Sequence, residues 1–462
     1  MIIRKRSKFS RKLFQILSSL IIGILVTGLV PGPVLGRDSA PKEFSLQSAQ
    51  NFAITHSYDS KRTQLDIQTA QKQMKETLAI GLPQIESSIG YLNNLKIATV
   101  LIPNFFEGKF DEMIPVQFGT QHNTNLNLMV SQLLFNGSYF VGLQAAKIYK
   151  QLANQNHERT QQNIIETVTN TYYLILVTTE SELILNGNLS NLEKTLYEIK
   201  ELNKEGFVSE TDADLVQISV TKLKNTLQTI NRQKDVAYKL LKFQMGLDLN
   251  EEILLTDKLD KILERIDLNT LQSSDFSLED NIDYNLLKTQ EKLSEMDLKN
   301  EKMKYLPTVA AFMNFQWNAM RNSFNFFSPD EKWYQTQLLG VNVNVPIFKS
   351  GAQKARVQKA AIALKQAQNA KQQAAEGLSL EAASAKSDLD SAYENYTHTQ
   401  ENMELSNKVY DVTLVKYKEG VASSMDLTQA HNTFLLAQSE FIQAMSMLLT
   451  AKNKMDRLNS NY

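Results

Sequence analysis

The side chains able to do covalent or metal chemistry are few and scattered. There is no cysteine, which removes disulfides, thiolate metal sites and a lipid-anchored N-terminal cysteine. The five histidines, His56, His122, His157, His398 and His431, show no His-x-x-x-His spacing. No glycine-rich phosphate loop or nucleophile elbow accompanies them. They read as exposed helix or loop residues, so the sequence predicts no catalytic residue, no cofactor and no metal. What does recur is hydrogen-bonding chemistry. Ser209 with Asp212, and Ser423 with Asp426, have the spacing of a capping box, in which hydroxyl and carboxylate satisfy the free amides that open a helix. Each box follows a Lys-Glu-Gly triplet, Lys204-Glu205-Gly206 and Lys418-Glu419-Gly420, whose glycine suits a helix C-terminus where the chain turns back.

The elements that must hold these boxes come in duplicate. Phe44-Ser45-Leu46 recurs as Phe276-Ser277-Leu278, Leu82-Pro83 as Leu306-Pro307, and Leu134-Phe135-Asn136-Gly137 resembles Ile347-Phe348-Lys349-Ser350-Gly351. With the Lys-Glu-Gly pair, the four matches keep their order at separations between about 210 and 235 residues, which predicts two copies of one unit. In each copy a helical stretch ends at the Leu-Pro pair, because proline lacks an amide and constrains its predecessor. Alternation follows. Val309, Ala311, Met313, Phe315 and Trp317 are interleaved with Asn314, Gln316 and Asn318; Leu339, Val341, Val343 and Val345 with Gly340, Asn342 and Asn344. Leu126, Leu128 and Val130 alternate with Asn125, Asn127 and Ser131, and Ile85, Ile89 and Tyr91 form a fourth run. Each copy therefore contributes two strands of roughly ten residues, a length suited to crossing a bilayer at a tilt. A soluble sheet also alternates. The polar faces, built from Asn, Gln, Ser and Gly with few charges, and Tyr91, Trp317 and Trp333 near strand ends favour a membrane.

Beyond the second strand of each copy the apolar spacing becomes three and four. Leu378, Ala382, Ala385, Leu389, Ala392 and Tyr396 show it, and Met403, Tyr410 and Tyr417 carry the seven-residue step onward. No proline interrupts 351–418 or 138–204, so each stretch predicts a helix on the order of 100 Å long. Returning helices are expected from about Asp212 to Gln244 and from about Asp426 to Arg457. Residues 95–122, with Pro103, Phe105, Phe106 and Phe110, are expected to form an outer-surface loop. Leu247 to Asp275 is acidic, leucine-bearing and irregular, and is expected to pack outside the helices.

Charge bounds the partners. The first 36 residues hold six Lys or Arg and no acid, which leaves 43 bases against 50 acids and about seven net negative charges. No basic run beyond the N-terminus suits a phosphate backbone, so nucleic acid is excluded. The basic cluster from Arg4 to Lys12 precedes an apolar stretch broken at Pro31-Gly32-Pro33, which reads as a secretory signal cut near Arg37. The expected organisation is a signal peptide over 1–36, a first repeat over 37–247, an acidic connector over 248–275 and a second repeat over 276–462. Four strands are too few to close a barrel, and an open sheet would leave unpaired edges in lipid. Three copies would supply twelve strands around a wet lumen, with the helices continuing as a tube.

Along the whole mature chain the sequence resembles the TolC family of trimeric outer-membrane factors. The duplication, the Leu-Pro lead into the strands and the Tyr-x-x-Gly turn at Tyr417 to Gly420, with Asp426 six residues on, carry the resemblance most specifically. It implies an α+β membrane protein: a homotrimer with a twelve-stranded outer-membrane β-barrel, continued by a long periplasmic α-helical barrel. The function implied is that of the exit duct of a tripartite efflux pump or type I secretion system. Such a duct is a passive conduit set in outer-membrane lipid, and it docks to a periplasmic adaptor (membrane fusion) protein and an inner-membrane pump. The resemblance matches Asp426 to a cation-selective ring and Asp212 and Tyr417 to partners in the links that hold the periplasmic tip shut. Ala422 stands where the best-known members carry an arginine. Asp426 has two readings, a ring residue or a helix cap only, and one residue can do both. Exposed apolar groups at a helix-hairpin tip suit docking, which places the adaptor contact on Gly206, Val208, Gly420 and Val421. The competing reading is an exported coiled-coil adaptor or adhesin without channel activity. The cargo, whether drug, metal ion or polypeptide, is not encoded in these motifs.

Overall fold

The computed structural model describes residues 41–264, 266 and 276–459. The expected signal, its cut near Arg37 and connector residues 267–275 lie outside the described part. Within it the strands are β1 (Lys42–Phe44), β2 (Gln84–Asn93), β3 (Thr99–Asn104), β4 (Lys109–Gln117), β5 (His122–Phe135), β6 (Ile253–Leu255), β7 (Thr308–Arg321) and β8 (Tyr334–Asn344). The α-helices are α1 (Leu46–His56), α2 (Tyr58–Ile80), α3 (Gly137–Lys204), α4 (Glu210–Met245), α5 (Leu259–Leu263), α6 (Ile282–Met303), α7 (Ala352–Lys418) and α8 (Ser424–Leu458).

Helices α2 and α6 stop at Ile80 and Met303, just ahead of Leu82-Pro83 and Leu306-Pro307, and each Pro is followed at once by a strand. The four long strands form one antiparallel sheet in the order β2-β5-β7-β8. Its register aligns the alternating runs. Ile85 pairs with Val130 and Val130 with Met313, which in turn pairs with Leu339. Paired residues share a face, so the apolar positions of all four strands lie together.

The helices divide the interior into separate cores. Helices α3 and α4 enclose Leu192, Leu196, Ile199, Val216, Val220 and Leu223. Helices α7 and α8 enclose Ala385, Leu389, Leu448 and Met455, with Tyr410, Leu427 and Phe434 farther along. The heptad positions Ala382, Ala385, Leu389 and Tyr410 are thus buried, which is why a polar helix of 67 residues holds its course. Helix α8 is long and apolar enough to cross a membrane, yet its apolar residues Leu427, Phe434, Met445 and Leu448 are buried among helices.

Two expectations are corrected. Residues 95–122 are not only loop: β3 and β4 form an antiparallel ribbon, held by pairs such as Val100 with Val116 and Ile102 with Ile114. The connector is not wholly irregular either. Strand β6 pairs with β1, Leu247 and Leu259 are buried, and Asp257 Oδ2 accepts from the Leu46 amide at 2.6 Å and from the Tyr172 hydroxyl at 2.9 Å. The carboxylate thereby ties the connector to α1 and α3. Its bond to the Tyr172 hydroxyl, added to the larger effect of burial, pushes that phenol's pKa well above the ordinary tyrosine value.

Candidate functional site

The sheet has one oily and one amide-lined face. Ile85, Ile89, Leu339, Val341 and Val343 are exposed on the first, in register with Leu126, Leu128, Phe315 and Trp317. The second carries Ser88, Asn125, Asn127, Asn314, Gln316, Asn318 and Asn342. Strands β2 and β8 each have a neighbour on one side only. A long edge of unpaired backbone with exposed apolar side chains calls for a further strand. At the rim, Tyr91 donates to or accepts from His122 Nδ1 at 2.9 Å, and Phe324 and Phe326 pack edge-on against the Tyr91 ring.

The far ends of the long helices build a second site. Gly206 and Gly420 adopt φ of 81° and 74°, the left-handed conformation that lets the chain reverse. The Phe207 amide donates to the Leu202 carbonyl and the Val421 amide to that of Lys416, closing both helices in the same way. Both capping boxes are formed: Asp212 Oδ2 accepts from the Ser209 amide at 3.0 Å, and Asp426 Oδ2 from the Ser423 amide at 2.9 Å.

The two hairpins also meet each other. Asp212 Oδ1 accepts a hydrogen bond from the Ser424 hydroxyl, the largest single cause of a lowered Asp212 pKa, to which the two Ser209 bonds of its own cap add. Lys418 pairs with Glu198 at 2.9 Å, and Asn188 donates to Gln438 Oε1 at 2.6 Å. Tyr417 packs against the apolar clusters of both hairpins, and its hydroxyl is shielded without a hydrogen-bond partner. Burial, with a smaller effect from Asp212, raises its pKa. The structure therefore brings Asp212 and Tyr417 together at one junction. Asp426 stays exposed, held by its own cap, and the Ser423 bonds lower its pKa.

Residues 290–459, which span β7, β8, α7 and α8, match the family of outer membrane efflux proteins. That match covers a little over a third of the chain. The fold agrees along most of the chain. VceC, an outer membrane protein of Vibrio cholerae, superposes with a TM-score of 0.70 at 13% identity, covering 90% of this chain and 95% of that one. A membrane protein from Pseudomonas aeruginosa gives 0.72 at 15%, covering 90% and 92%. The CmeC outer membrane channel of Campylobacter jejuni gives 0.71 at 16%, covering 90% and 85%. At such identities the likeness is one of fold. No curated protein is significantly similar in sequence. The family resemblance read from the motifs is borne out, and with it an outer-membrane location; efflux proteins of this family transport and do not catalyse.

The expected tip residues are differently disposed. Gly206, Gly420 and Val421 are exposed, Val421 at 76%. Val208 is half-buried against the α3–α4 core, because the turn that follows Gly206 points it inward. Phe207, exposed at 78%, takes the outward place. Sequence reasoning missed it, although its position beside the turning glycine mirrors that of Val421. The expectation of exposed histidines fails at His431, which is 3% exposed with its ring against Tyr410. Among the described residues no group of histidines and acids could hold a metal ion.

Proposed function

We propose that this chain is the outer-membrane exit duct of an efflux or secretion assembly, a passive conduit made of three copies. The observation that carries the reading is the open four-stranded sheet, oily on one face and amide-lined on the other, with both edges unpaired. In lipid an unpaired backbone group costs several kcal/mol, so the edges must be satisfied by further strands. Joining β2 of one copy to β8 of the next puts the oily face toward lipid and the amides around water. Twelve strands, from three copies, are enough for a water-filled lumen. The element order helix, two strands, long helix and returning helix runs twice along the chain, and we take this as a duplication with halves at 37–247 and 276–462 about the connector.

The tips form the periplasmic gate and docking end. The Asp212–Ser424 bond and Tyr417 lock the two hairpins of one copy side by side. Asp426 uses Oδ2 for its cap, and the other oxygen serves a cation-selective ring. Gly206, Phe207, Gly420 and Val421 offer an adaptor protein an apolar hairpin end, behind which an inner-membrane pump would stand.

Planar-bilayer recording tests the conduit. Purified protein should give discrete conductance steps and migrate on gels as a heat-modifiable oligomer. Asp426→Ala should weaken block by multivalent cations, and unchanged block removes the ring. A detergent-free soluble monomer without conductance would reject the duct and favour an exported coiled-coil adaptor or adhesin. Photocrosslinkers at Phe207 and Val421 should capture a co-expressed adaptor, whereas capture only from mid-helix sites would displace the docking surface.

A further inference from the structure

The amide-lined face carries one charge. Across all four strands of the sheet the only residues of formal charge are Glu86 and Arg321. Arg321 is 7% exposed and spent locally: its guanidinium donates to the Asn325 and Lys332 carbonyls at 3.0 and 3.3 Å and pairs with Glu331. Glu86 is exposed and, among the described residues, has no ion-pair or hydrogen-bond partner.

The register fixes the face on which Glu86 stands. It pairs with Met129, Met129 with Asn314, and Asn314 with Leu338, so all four lie opposite the row of Ile85, Val130, Met313 and Leu339. The row beside it is Ser88, Asn127, Gln316 and Thr336. Two side-chain oxygens in these rows, Asn314 Oδ1 and Asn127 Oδ1, are shielded and accept no hydrogen bond from the protein. The wall near Glu86 thus presents one unpaired carboxylate among neutral amides and hydroxyls, with two amide oxygens beneath its surface left without donors. The carboxylate attracts cations and repels anions, while the neutral amides and hydroxyls around it favour neither sign.

We propose that Glu86 is a cation-selecting residue of the strand wall, separate from the tip. The proposal rests on the conduit reading above, which places this face toward water and repeats Glu86 in every copy at one level. Three like carboxylates facing a common lumen reinforce one another's field. The wall then favours cationic and neutral hydrogen-bonding solutes, whatever the state of the tip.

Reversal potentials across a salt gradient test this. They should be read at low ionic strength, about 0.01–0.1 M, where the field of an exposed charge still extends roughly 30 to 10 Å. Every protein carries Asp426→Asn, so that the tip contributes no ring. With Glu86 intact, the channel should remain cation-preferring. Glu86→Gln should cut the cation-to-anion permeability ratio by about twofold or more, and Glu86→Lys should carry it past unity toward anions. Potassium and chloride alone serve as probes. Unit conductance steps confirm in each case that a pore has formed. Pores of normal conductance whose ratio is the same in all three proteins overturn the assignment and leave the conduit standing. A parent protein that forms no pore overturns both.

Discussion

Two left-handed glycines that look alike in sequence differ in what surrounds them. Gly420 has φ of 74° and open space about the position of a Cβ, whereas Gly246, with φ of 73°, would put a Cβ 2.4 Å from the His56 carbonyl oxygen. Gly420→Ala should therefore cost only the left-handed strain, about 1–2 kcal/mol, seen as faster hydrogen exchange at its own turn. Gly246→Ala adds a clash with backbone between α1 and α2, and should cost more and loosen those helices too. Equal protection in the two variants would contradict this. His431 makes a pH prediction. Burial alone lowers its pKa from 6.5 to about 4. A base whose folded pKa is depressed binds fewer protons folded than unfolded, so the stability it allows is full above about 6.5. That stability is lost as pH falls from there to about 4, by roughly 3 kcal/mol over the window. Proteolysis of the α7–α8 hairpin should rise across it, and His431→Leu should flatten the rise; an unchanged slope would exonerate the imidazole. The turning glycines were legible because their role is local. The burial of His431 was not, since it depends on how α7 and α8 face each other.

At the scale of elements, the two capping boxes are alike but their carboxylates are not equally engaged. Asp212 closes its own box and also takes the Ser424 hydroxyl of the other hairpin, while Asp426 caps alone. Asp212→Ala should speed hydrogen exchange in the first turns of both α4 and α8, and Asp426→Ala only in α8. Each lost cap should cost about 1 kcal/mol. Equal effects on both hairpins from either variant would dissolve the junction. The boxes could be read from spacing, but their contact joins residues 212 positions apart and exists only once the hairpins pack. Strands were legible where one face is oily. The β3–β4 ribbon escaped because Val100 and Ile102 on one face, and Leu101 and Pro103 on the other, erase the alternation. The ordered start of the connector escaped for a related reason, since its short strand and helical turn are held by Asp257 and by burial of Leu247 and Leu259.

At the scale of the molecule, the chain combines helix pairs that satisfy themselves with a sheet that does not. Each long helix buries its heptad seam against a partner from the same chain. The sheet exposes its oily residues and both edges, and nothing within the described chain covers them. That imbalance was already present in the sequence, in strands whose alternation is clean but whose number is too small to close. The claim that copies complete the sheet is tested most directly by native mass spectrometry of the particle extracted in mild detergent. The account predicts a particle of three chains that falls to single chains only when heated. A single chain per particle before heating would contradict it.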